Sequence, residues 1–184
     1  MKRVLITGFG AFLSHGVNPA EQVALSLKKE HYDIAILPVS YQKAKQAFFA
    51  IPNLRSYDLI LSLGLASSRR LISLERTAYN EMNALHLDND GVRKLGEVIV
   101  PGQPASLTTS LNVPALHEAL EKAGIPSEIS SDPGRYICNE VYYLDLVSGI
   151  PALFVHFPSL EKSSLEKDLA ATKVILKAER LKII

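Results

Sequence analysis

The 184-residue chain has one cysteine and no tryptophan. A single thiol closes no disulfide within the chain, which sets the sequence apart from small secreted folds held by cross-links. A lone free thiol suits a reducing compartment, so the expectation is a cytoplasmic protein. The formal net charge is only +1. No field of one sign is there to draw in nucleic acid or an anionic membrane, and neither is expected as a partner. No apolar run approaches the roughly 18 residues that span a bilayer. The opening MKRVLITGF is basic, but no long apolar run leads to a small-residue cleavage site. It reads as a first strand, not a signal peptide. Two cofactor motifs are missing as well. Gly8 and Gly10 have the first spacing of a dinucleotide-binding turn, but position 13 is Leu13, and no phosphate-binding lysine motif follows. Asp88, Asp90 and Asp132 form no metal-ligand pattern.

What is present is an ordinary globular mix, 47% hydrophobic and 21% charged, of a length that fits one domain over residues 1–184. Short apolar runs alternate with amphipathic segments. Val4-Leu5-Ile6 reads as a strand ended by Gly8. A helix follows Asn18, with Pro19 in its first position, Glu21 three residues after the cap, and Val23, Ala24 and Leu27 on one face. Ile34 to Val39 is a second strand. A second helix after Ser40 carries Ala44, Ala47, Phe48 and Ile51. Leu59 to Leu63 is a third strand stopped by Gly64, and the stretch from Ile72 to Asp90 is less regular. Further on, Pro114 to Ala123 reads as a helix, Ser127 to Ser130 as a strand, Cys138 to Val147 as a helix and Ala152 to His156 as a strand. Ser163 and Glu166 suggest a capping box for a last helix whose face carries Ala170, Val174, Ala178 and Leu181. Strands alternating with helices imply an α/β domain with a mostly parallel or mixed sheet covered on both faces. Sites in such sheets gather at the C-terminal ends of strands.

Three residues stand out. Cys138 follows Pro133-Gly134 and opens a helix, where the helix N-terminus lowers a thiol pKa and an outward N–H can meet an oxyanion. A small buried hydrophobe is the other reading of a lone cysteine. His156 ends an apolar strand, a rigid place from which to deliver a base. A rim histidine bonded to backbone fits the same position. Glu75 could orient that base, or form a surface ion pair with a neighbouring arginine.

The blocks holding these residues resemble the pyroglutamyl peptidases. Thr7-Gly8-Phe9, Phe12 and Asn18-Pro19 form the first block. Gly64-Leu65-Ala66 with Ile72-Ser73-Leu74-Glu75-Arg76 and Ala78-Tyr79-Asn80 form the second. Ser130 to Asn139, through Cys138, and Val155-His156-Phe157-Pro158 form the third. Asp88-Asn89-Asp90-Gly91 and Ile99-Val100-Pro101-Gly102 extend the likeness. The resemblance implies a three-layer α/β/α sandwich. It implies a cytoplasmic cysteine exopeptidase that removes N-terminal pyroglutamate from peptides, needs neither metal nor cofactor, and assembles as a homo-oligomer, a tetramer or a dimer. It gives Cys138 as nucleophile, His156 as base, Glu75 as the third member, and Phe9 and Phe12 as the aromatic residues around the lactam ring.

The sequence departs from that family at several points. The usual Phe-Glu-Pro-Phe-Gly-Gly loop is here Phe9-Gly10-Ala11-Phe12-Leu13-Ser14. Ser67-Ser68 replace a glycine-rich or Pro-Gly pair, Thr77 an apolar residue, and Pro133 an alanine. The loop from Pro101 to Leu107 lacks a small-and-aromatic run. A triad kept within altered substrate loops also fits a cysteine amidohydrolase of another acyl specificity, or a family member that has become a binding protein.

Overall fold

The computed structural model describes residues 3–12 and 17–181. In chain order it contains β1 (Val4–Phe9), α1 (Pro19–Leu27), β2 (Asp33–Leu37), α2 (Tyr41–Phe49), β3 (Leu59–Leu65), β4 (Ile72–Glu75), β5 (Thr77–Tyr79), β6 (Met82–Asn83), β7 (Leu95–Glu97), β8 (Ser106–Thr108), α3 (Val113–Lys122), β9 (Ser127–Ser130), α4 (Ile137–Val147), β10 (Ala152–Phe157) and α5 (Leu165–Leu181). Six strands form one sheet in the order β2-β1-β3-β10-β4-β9. All pairs are parallel except β10 with β4. Helices α1, α3 and α5 cover one face and α2 and α4 the other. This is the expected three-layer α/β/α arrangement on a mixed sheet. Two small ribbons, β5 with β8 and β6 with β7, lie outside it. No helix among the described residues is long and apolar enough to cross a membrane.

The strand alternation sorts side chains to the two faces. Val4, Ile6, Leu61, Leu63, Leu74, Leu153 and Val155 enter the core beneath α1, α3 and α5. The intervening positions Thr7, Ser62, Gly64, Ser73, Glu75 and His156 belong to the other face.

The helices start where small capping residues allow. The Asn18 side chain accepts from Ala20 N at 3.1 Å and the Ser40 hydroxyl from Lys43 N at 3.2 Å. Both satisfy first-turn N–H groups. The last helix differs from expectation. Ser164, not Ser163, accepts from Lys167 N at 3.2 Å, because the Ser163 hydroxyl is taken by the buried Asp168 carboxylate at 2.6 Å. The buried stripe accordingly runs through Ala171, Ile175 and Leu176, while Ala170 is exposed.

Two glycines expected to end strands lie inside them. A Cβ on Gly8 would come within 2.8 Å of Ala20 O, and one on Gly64 within 2.7 Å of the Phe154 ring. Close packing of a helix and of a neighbouring side chain, not chain reversal, requires glycine at these places. The strands continue to Phe9 and Leu65. The stretch read as irregular contains β4, which carries Glu75.

Candidate active site

The sheet register assembles the site. His156 pairs with Gly64 of β3 on one side and with Ser73 of β4 on the other, and Phe154 pairs with Glu75. Glu75 and His156 therefore lie diagonally across an antiparallel pair on one face, a separation that long side chains bridge. His156 Nδ1 lies 2.7 Å from Glu75 Oε1. Glu75 is 0% exposed and His156 3%. A buried carboxylate accepting at Nδ1 fixes the proton there and leaves Nε2 to take another. The Phe154 ring lies 4.7 Å from the imidazole, centroid to centroid, and the Tyr142 hydroxyl donates to Glu75 O at 2.7 Å.

Cys138 is the second residue of α4. A Cβ on Gly64 would meet its sulfur at 3.1 Å. The side chain missing at Gly64 is thus the room that the sulfur uses beside His156. The cap residue Tyr136 makes no side-chain cap bond. Its hydroxyl donates instead to Leu87 O at 2.9 Å. The expected depression of the thiol pKa is reversed. Burial pushes the Cys138 thiol up to about 12. The Glu75 carboxylate adds to this, while the cysteine's own N–H and Arg69 oppose it. The backbone N–H at the helix start favours the thiolate but does not outweigh desolvation.

A cavity of about 640 Å³ opens here, lined by Cys138, His156, Phe9, Phe12 and Tyr136, with Ser67, Ser68, Arg69, His86 and Asp132 also in its wall. All five residues singled out in the sequence meet at this place, four in the wall and Glu75 behind His156. Phe9 is 2% exposed and packs on Phe154, with ring centroids 6.4 Å apart. It is a core aromatic that also borders the cavity. Phe12 is half-buried and packs at a tilt against Tyr136, with ring centroids 5.6 Å apart. Leu13 and Ser14 of the altered loop lie outside the described residues.

The ion pair suggested for Glu75 exists, but it is buried and its partner is Arg69, with Nη1 2.8 Å from Oε1. Arg69 in that role and Tyr136 in the wall were missed from the sequence. Tyr136 stands in the block around Cys138, a signal that could have singled it out. Among the described residues no group of three or more His, Cys, Asp or Glu side chains could hold a metal ion.

Residues 2–176 match the family model described as pyroglutamyl peptidase. The pyrrolidone-carboxylate peptidase of Pyrococcus furiosus is 34% identical over 90% of this chain and 85% of its own length. That of Oceanobacillus iheyensis is 33% identical over 92% and 90%. Among solved structures, a variant of the Pyrococcus furiosus pyrrolidone carboxyl peptidase superposes with a TM-score of 0.89 at 31% identity, covering 98% of this chain and 99% of that one. The enzyme of Fervidobacterium islandicum gives 0.88 at 36% identity, covering 96% and 97%. With the residues that carry the resemblance drawn together around one cavity and the match running nearly end to end, the chain belongs to the pyroglutamyl peptidase family of cysteine peptidases.

Proposed function

We propose that this protein removes N-terminal pyroglutamate from peptides through a thioester on Cys138, with His156 as base and Glu75 as the residue that orients it. The observation that carries the reading is the 2.7 Å contact between buried Glu75 and His156 Nδ1, with His156 and Cys138 lining one cavity. His156 Nε2 takes the proton of the Cys138 thiol as the sulfur attacks the pyroglutamyl carbonyl carbon. First-turn N–H groups of α4 stabilise the oxyanion. The C–N bond then breaks, and His156 gives the proton to the departing amine. Water adds to the thioester with His156 again as base, releasing pyroglutamate and restoring the thiol.

Phe9, Phe12 and Tyr136 supply an apolar slot for an uncharged lactam, and the charges of an open glutamyl group would be costly to desolvate against these rings. Two further expectations belong to this reading. The protein works in the cytoplasm, as its single free thiol suits. It also assembles as a dimer or tetramer, supported by apolar side chains displayed around the β6–β7 ribbon, where Leu85 is 78%, Leu95 65% and Val98 55% exposed.

The hydroxyls of Ser67 and Ser68 in the cavity wall favour a second reading, a cysteine amidohydrolase for a more polar acyl group. Aminomethylcoumarin amides of pyroglutamate, proline and glutamate, assayed with a thiol reductant, separate the two. Pyroglutamyl amide is expected to be cleaved best. Phe12→Ala should raise KM for it about tenfold, as loss of one aromatic contact predicts. Glutamyl or prolyl amide cleaved equally well sinks the lactam specificity.

A further inference from the structure

We propose that Arg69 is a positioning residue of this site. It holds the Glu75 carboxylate and the loop before Cys138 together, and its positive charge offsets the buried negative charge beside the nucleophile. The proposal rests on the triad roles given above.

Three contacts of one guanidinium carry it. Nη1 lies 2.8 Å from Glu75 Oε1, the same oxygen that meets His156 Nδ1. Nη2 donates to Asp132 O at 2.8 Å, six residues before the nucleophile. Glu128 Oε1 of β9 lies 3.8 Å away, but that oxygen already accepts the Ser73 hydroxyl at 2.6 Å. Arg69 thus joins the strand of the orienting acid to the loop of the nucleophile. Its side chain is 19% exposed, against 0% for Glu75. The other carboxylate oxygen, Glu75 Oε2, is buried and has no hydrogen-bond partner, and Arg69 Nη1 meets Oε1 as an ion pair outside hydrogen-bond geometry. Most of what offsets this anion must come through Oε1, from the imidazole N–H and from Arg69. A carboxylate out of water needs such a partner.

The sign of the effect follows from charge. At the sulfur, Glu75 works against ionisation and Arg69 for it. Without the guanidinium, the sulfur feels a less compensated anion and keeps its proton to higher pH. Other titratable groups face the site. Glu128 and Asp132 lie beside Arg69, and His86 is in the cavity wall. Tyr41, Tyr136 and Tyr142 approach from α2 and α4, and burial raises all three above the ordinary phenol range, so they stay neutral. None of these groups is altered in the variants below.

Cys138 is the sole cysteine, so the rate of its alkylation by iodoacetamide at pH 8, followed by mass, reads its ionisation without requiring turnover. Well below the thiol pKa that rate follows the thiolate fraction, so Arg69→Met is expected to slow it about tenfold. Arg69→Lys keeps the charge and should leave the rate near wild type. Arg70→Met, at the exposed neighbour, should not change it. Glu75→Gln alone should speed alkylation, and Arg69→Met/Glu75→Gln should return it to near wild type. That last pair measures the Arg69 effect even if the single Met variant does not fold. An unchanged rate in Arg69→Met, a Lys variant slowed as far as Met, or a double variant level with Glu75→Gln overturns the proposal. Wild type that cleaves no pyroglutamyl amide overturns the substrate reading instead, and the alkylation rates still decide Arg69.

Discussion

On one face of the sheet, Leu61, Leu63, Leu74, Leu153 and Val155 are buried and apolar and pack with α1, α3 and α5. On the other, the same strands present Ser62, Gly64, Ser73, Glu75 and His156. Neighbours in sequence thus do different work, because successive strand residues point to opposite faces. The apolar face is held by burial alone. The polar face needs a partner for each group: Thr7 donates to Ser62 at 2.8 Å, Ser62 to the Asp145 carboxyl of α4 at 2.6 Å, Ser73 to Glu128, and His156 meets Glu75. Burial pushes Asp145 up to about 8, against the Ser62 hydrogen bond. Folding must therefore keep this carboxyl protonated near neutral pH, which costs stability. The contrast separates a face built of apolar burial from one that sets a row of polar groups within a second apolar cluster.

The strongest way to sharpen that contrast is to remove the nucleophile. Cys138→Ala should abolish hydrolysis of pyroglutamyl amide while circular dichroism and thermal unfolding stay close to wild type, since little side-chain volume is lost. Turnover retained by this variant would remove Cys138 from the mechanism. Next in size come its partners. His156→Ala removes the base itself. Glu75→Gln leaves an acceptor for the imidazole N–H but deletes the charge that stabilises imidazolium, so kcat should fall on the order of tens- to a thousandfold, less than for His156→Ala. Equal kinetics for Glu75→Gln and wild type would break the reading of the polar face as one unit.

How far the sequence foretold this is uneven, for physical reasons. The cap at Asn18 was legible because capping is local chemistry. Cys138 and His156 were legible through a helix start, a strand end and the family blocks around them. Glu75 was legible only through those blocks. Its strand has four residues, too few for the alternation Ile72-Ser73-Leu74-Glu75 to stand out, and it joins the sheet antiparallel to β10. Gly8 and Gly64 were misread as breakers because the atoms that exclude a Cβ come from Ala20 and Phe154, far along the chain. The thiol pKa went the wrong way for a related reason: the helix N-terminus is visible in sequence, whereas the burial that outweighs it is a property of the packed site. Arg69 pairs with Glu75 only across a turn whose path the sequence does not dictate.

The smallest expected effect on chemistry comes from the apolar face, directly beside the base. Val155 precedes His156 and points the other way. It is 0% exposed and pairs with Leu63 of β3 and Leu74 of β4. Val155→Ala deletes two methyl groups from a packed core, which should cost about 2 kcal/mol in transfer and cavity terms. For a chain of this length that is a fall in Tm of roughly 5–8 °C. Because the lost methyls face α1, α3 and α5, the Glu75–His156 contact and the cavity should be untouched. Well below the new Tm, kcat/KM should stay within about twofold of wild type, taking a twofold change as under 0.5 kcal/mol, and the alkylation rate of Cys138 at pH 8 should not change. Thermal unfolding and pH-dependent kinetics on the same preparation check both halves. An acid limb shifted by Val155→Ala would mean that the faces are coupled through the strand, and the division of labour would fail at the residue next to the base.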